Sequence, residues 1–125
     1  MPPPVLVAIA VAGSLGALLR FLLVQALLVR WPGQPWATAA VNVVGCLGFG
    51  LCWALAQGRW SPAVTAGVLV GFFGAFTTFS SFAFDCQQLL VERRYLTMAA
   101  NVLAQNGAGL LAVVAGILLG ERWRG

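Results

Sequence analysis

The chain has 125 residues, of which 61% are hydrophobic and only 8% charged, and its mean hydropathy is +0.93. Soluble domains carry roughly a quarter charged residues, so a fold with an ordinary aqueous surface is excluded. Histidine and lysine are absent, and the seven basic residues are scattered arginines. The first absence removes the commonest general base and metal ligand, and the scatter gives no basic face for nucleic acid.

A bilayer core about 30 Å thick needs roughly 20 apolar residues of helix. Four stretches qualify, so the expected fold is all-α, a single four-helix transmembrane domain. The first runs from about Val5 to Val29 and ends at Arg30-Trp31-Pro32-Gly33. The second runs from about Trp36 to Ala56 and stops at Gln57-Gly58-Arg59-Trp60. The third opens near Pro62, which suits a first helical turn, and reaches about Val91 before Glu92-Arg93-Arg94. The fourth spans about Leu96 to Gly120. Trp31, Trp36, Trp60, Tyr95 and Trp123 all fall at predicted ends, where amphipathic rings favour the headgroup layer.

Charge does not orient these spans. Four spans put Arg59, Arg122 and Arg124 on one side of the membrane and Arg30, Arg93 and Arg94 on the other. Three against three leaves the positive-inside rule without a preference. Either a weak bias from loop length decides, or copies insert both ways up and pair as an antiparallel homodimer. Any inverted symmetry of the kind transporters build within one chain would need two copies here.

The third span is the unusual one. Its 30 residues would reach about 45 Å as continuous helix, more than a bilayer requires. Its centre, Gly71 to Phe82, holds two glycines, the pair Thr77-Thr78 and the pair Ser80-Ser81, a poor helix interior. A break near Gly74 to Thr78 would free carbonyl oxygens at membrane depth, where they must be buried in protein or bind something. Phe79 and Phe82 lie three apart on one face beside the hydroxyls of Thr78 and Ser81. Core packing is the plain reading of the two rings. The functional one uses their positive edges to solvate a small anion without trapping it.

Polar residues inside spans are functional suspects. Arg20 is the only basic residue well inside one; it either faces a vestibule or snorkels to the interface. Asn42, Gln105 and Asn106 offer neutral N–H donors. A pathway of amides, hydroxyls and ring edges suits a small, strongly hydrated anion, which must shed water yet remain free to leave. Cys46, Cys52 and Cys86, at no disulfide or zinc spacing, read as small apolar side chains.

These residues resemble a known family. Gly13-Ser14-Leu15-Gly16-Ala17-Leu18-Leu19-Arg20-Phe21, Asn42-Val43-Val44-Gly45 and the block from Gly71 to Phe82 are similar to three motifs of the Fluc (CrcB) fluoride channels. The likeness extends over essentially the whole chain. It implies a passive fluoride channel of the cell (inner) membrane that exports cytoplasmic fluoride, assembled as a dual-topology antiparallel homodimer with a broken third helix. It implies a structural, non-transported Na⁺ held by the carbonyls of Gly74 and Thr77 from each copy. Phe79 and Phe82 become pore-lining rings, with Asn42, Thr78, Ser81 and Gln105 along the ion path and Arg20 in the vestibule. The fourth helix departs from the pattern, with Asn101 and Gln105 where many members carry a Tyr and Ser track. No enzymatic activity is expected, since no nucleophile–base pair is evident. The competing class is a small multidrug-type proton-coupled exporter. That class needs an acid deep in the first helix, and the only acids are Asp85, Glu92 and Glu121.

Overall fold

In hydrocarbon a backbone has no water to bond, so long apolar runs satisfy themselves as helices. A computed structural model describes residues 1–125. It holds four helices long and apolar enough to cross a membrane, Pro3–Leu28, Trp36–Ala56, Pro62–Val91 and Tyr95–Arg124. The first starts two residues earlier than predicted because Pro3 sits in the opening turn, where a missing N–H costs nothing. The fourth runs four residues further, to Arg124. Arg122 and Arg124 occupy its last turn, where positive charge opposes the helix dipole.

The turns between helices are tight. Gly33 and Gly58 adopt φ of 66° and 70°, left-handed conformations that glycine enters without steric cost. The third turn uses Arg93 at φ 57°. Arginines then tie each end of the bundle together. Nη1 of Arg94 donates to the Gly33 carbonyl at 2.7 Å, joining turns one and three. Nη2 of Arg59 donates to the Arg124 carbonyl at 2.7 Å, joining turn two to the C-terminal end. The six arginines counted by side in the sequence therefore divide as four spans require.

The helices associate as two close pairs, the first along the upper part of the third and the second along the fourth. Small residues make this possible, since close packing drives association where lipid offers no hydrophobic gain. A side-chain carbon on Gly16 would collide with the Phe72 carbonyl, and one on Gly116 with the Leu47 carbonyl. Outside these seams the apolar faces stay open. Gly16 is the only buried residue of the first helix.

Two spans depart from regular α-helix. The third begins with Ser61 accepting a bond from the Val64 N–H at 3.3 Å, winds as a π-helix over Ala66–Phe73 and returns to α-helix for Gly74–Phe76. At Thr77 (φ −85°, ψ 153°) and Thr78 (φ −148°, ψ 113°) the backbone is extended. Helix resumes over Phe79–Val91, with the Thr78 hydroxyl capping it through the Ser81 N–H at 3.2 Å. The fourth span carries a π-helical turn at Ala104–Ala108, a feature frequent at functional sites.

Candidate functional site

Two extended residues in mid-span leave N–H and C=O groups that must be answered from elsewhere. The answer comes from the second helix. Oδ1 of Asn42 accepts the Thr78 N–H at 2.8 Å, and its Nδ2 donates to the Thr78 carbonyl at 3.0 Å. One side chain thus replaces, on a single residue, both bonds that a continuous helix would have made. Gly45, one turn further along the second helix, makes room for this. A side-chain carbon there would strike the Thr77 methyl.

The same amide reaches on to the fourth span. Nδ2 of Asn42 also donates to Oε1 of Gln105 at 2.6 Å. Nε2 of Gln105 donates to Oδ1 of Asn101 at 2.9 Å, and Nδ2 of Asn101 donates to the Cys86 sulfur at 3.4 Å. Asn101 is fully buried, at 0% exposure, so these bonds offset what would be a costly polar burial. The i, i+4 spacing of Asn101 and Gln105 already puts both amides on one face of the fourth helix; their links to Asn42 and Cys86 cross between helices and leave no such mark in the sequence.

Beside this row lies a cavity of about 210 Å³ lined by Asn42, Thr77, Thr78, Phe79, Phe82 and Gln105, together with Cys46 and Asn106. No lining residue carries a formal charge. The rings of Phe79 and Phe82 are 5.4 Å apart and tilted by 54°. Phe82 is buried, whereas Phe79 is 76% exposed in the middle of a span. Six of the nine residues singled out from sequence therefore meet at one place.

The other three lie apart from that cavity. Ser81 belongs to a neighbouring cavity of about 440 Å³, with Gln34, Thr38, Ser80 and Asp85 in its wall. It stays connected, because the Thr78 hydroxyl donates to the Ser81 hydroxyl at 3.1 Å. One carboxylate oxygen of Asp85 is buried without a hydrogen-bond partner; the single salt bridge is the exposed Glu92–Arg94 pair at 3.2 Å. Arg20 is in neither cavity. Its Nε donates to the Ala75 carbonyl at 3.0 Å, at the C-terminal end of the upper half of the third span. A cation belongs at that negative dipole end.

Gly74 sits beside it. In a continuous helix the Thr78 N–H would bond the Gly74 carbonyl and the Ser81 N–H the Thr77 carbonyl. Both N–H groups are engaged elsewhere, by Asn42 Oδ1 and by the Thr78 hydroxyl. A side-chain carbon on Gly74 would meet nothing within 4 Å, so packing inside one chain does not demand glycine there.

The sequence profile of the family described as "CrcB-like protein, Camphor Resistance (CrcB)" matches residues 7–117. The chain belongs to the CrcB family. It is 43% identical over 117 residues to the fluoride-specific ion channel FluC of Solidesulfovibrio magneticus, covering 90% of this chain and 93% of that protein. The FluC of Nitrosococcus oceani is 41% identical over 117 residues with the same coverage, and that of Stutzerimonas stutzeri 42% over 115 residues. Family membership and four apolar spans make this CrcB protein a multi-pass protein of the cell membrane. They leave the exporter reading without support.

Proposed function

We propose that this CrcB protein is a passive, fluoride-selective channel, not an enzyme, that lets cytoplasmic fluoride leave the cell. The observation that carries the reading is the uncharged cavity beside Thr77 and Thr78, where amide, hydroxyl and two phenyl rings converge. Relatives sharing about two residues in five are named fluoride-specific ion channels, and nothing in the cavity suits any covalent step.

The mechanism follows from hydration. Fluoride holds its water tightly, so a path must offer substitutes that are directional but individually weak. The positive rims of Phe79 and Phe82 serve on one side. Gln105 supplies an N–H donor on the other and, further along, Ser81 an O–H donor, held in place by the Thr78 hydroxyl that donates to it. Asn42 lines the path and fixes the backbone interruption. A fixed positive charge there would bind the anion too firmly to release it. Arg20, engaged with the Ala75 carbonyl, influences the ion from a distance through its field.

The working unit is an antiparallel homodimer inserted both ways up. Balanced arginines favour it, as do an exposed Phe79 in mid-span and a Gly74 whose open side calls for a neighbour from outside the chain. The interruption of the third span also fits a structural Na⁺. The Gly74 and Thr77 carbonyls have lost their helical N–H partners, and oxygen donors of this kind suit a hard cation. One chain offers two such oxygens, and a second copy would offer two more. When bound, Na⁺ would supply a fixed charge that satisfies these carbonyls and pins the two copies together.

Purified protein in liposomes, followed with a fluoride electrode, tests the reading. Adding a K⁺ ionophore should release fluoride but not chloride, and replacing Na⁺ by N-methylglucamine throughout should diminish the release. Proton-coupled cation flux without fluoride movement would remove the channel from consideration. Single cysteines placed in the first turn, in a background lacking native cysteines, should label from both faces of the cell membrane. Labelling from one face alone would rule out the antiparallel pair.

A further inference from the structure

The row Asn42–Gln105–Asn101–Cys86 has only one consistent direction. The Thr78 N–H can only donate and its carbonyl can only accept, so the Asn42 amide that pairs with both cannot be reversed. Its remaining N–H faces Gln105, which must present Oε1. Gln105 then turns Nε2 toward Asn101, which must present Oδ1 and leave Nδ2 for the Cys86 sulfur. Each orientation follows from the one before it, beginning at a backbone that cannot flip.

Two consequences follow. Both N–H groups of Asn42 are consumed within the chain, so Asn42 has none to spare for an anion. The second N–H of Gln105 has no protein partner, and Gln105 lines the cavity. Bonds arranged in series also polarise one another, which sharpens that donor.

We propose that Gln105 is the amide that contacts the permeating anion in this chain, and that Asn101 and Cys86 are positioning residues that hold it donor-outward. The inference rests on the channel reading and adds to it a specificity-determining role for buried residues that never touch the ion. A chain with an aromatic hydroxyl in this place would need no such support. An amide does, since its carbonyl turned inward would repel an anion.

A double-mutant cycle in the liposome assay separates positioning from mere structure. Gln105→Met, which keeps the length without the donor, should lower fluoride flux about tenfold, the loss of one anion hydrogen bond. Asn101→Leu should cost about as much in the native background, but less than about twofold alongside Gln105→Met, because nothing remains for it to hold. A purely structural Asn101 would lower the flux equally in both backgrounds, and that result overturns the proposal. Cys86 gives a gentler arm should Asn101→Leu not assemble. Cys86→Ala leaves the Asn101 amide unanswered and should slow the flux, while Cys86→Ser, which keeps an acceptor, should recover most of the loss. Native flux from Cys86→Ala would overturn the proposal as well. Absence of fluoride flux in the unsubstituted protein is a different failure; it removes the channel reading and this inference with it.

Discussion

Phe82→Ile should reduce fluoride flux to the background leak of the liposomes, a loss of at least about a hundredfold, while the protein still assembles. The two effects separate because the ring has two duties. As a buried apolar group it fills space, and isoleucine replaces most of that volume at a cost of about 1–2 kcal/mol. As an anion contact it lines the cavity it shares with Phe79, Thr78 and Gln105, where the positive edge of a phenyl ring can solvate an ion, and no aliphatic side chain has such an edge. In a site of low dielectric, losing about 3 kcal/mol of ion stabilisation corresponds to roughly a hundredfold in rate. Light scattering of the detergent-solubilised protein reports assembly, and the fluoride electrode reports permeation. Native flux from Phe82→Ile would mean the ring is packing alone and the path lies elsewhere.

The spans were legible because hydrocarbon imposes a single demand. Helix ends shifted by a few residues, where Pro3 and the terminal arginines extended them. The weak centre of the third span was also legible, since glycine and β-branched residues announce poor helix whatever surrounds them. Its repair was not. Asn42 and Thr78 lie 36 residues apart, and no local pattern says that one amide will answer both groups of one residue. The π-helical turns at Ala66–Phe73 and Ala104–Ala108 left no mark either, because they differ from α-helix only in which carbonyl each N–H selects. Ser81 shows the limit of helical periodicity. Its spacing from Thr78 put both on one stripe, yet two extended residues in the backbone send the serine into the adjoining cavity. Arg20 had two sequence readings, vestibule and snorkel. Its bond to the Ala75 carbonyl depends on that carbonyl lying at the end of a half-helix, a position set by the interruption at Thr77 and Thr78.

Asn42→Asp should be the most damaging single-atom change in the protein. The substitution retains the oxygen that accepts the Thr78 N–H, so that bond survives. The other end of the amide changes sign. A carboxylate oxygen now faces the Thr78 carbonyl and Gln105 Oε1, which Nδ2 contacts at 3.0 and 2.6 Å, and two attractions become two repulsions. Gln105 can relieve one of them only by rotating its amide, which withdraws its free N–H from the cavity and disturbs fully buried Asn101. The carboxylate also places a fixed negative charge on an anion path. Breaking a buried polar pairing in this way costs about 3 kcal/mol or more of stability, and the charge should lower fluoride flux by a further hundredfold or so. Asn42→Leu removes all three hydrogen bonds, the one from the Thr78 N–H included, without adding charge, so a flux lower in Asp than in Leu can only come from the electrostatic part. Thermal unfolding and flux should therefore separate. The two variants should melt within a few degrees of each other, and Asp should conduct far less than Leu. Equal flux from both would mean that the bonds holding Thr78, and not the potential along the cavity, govern passage of the ion.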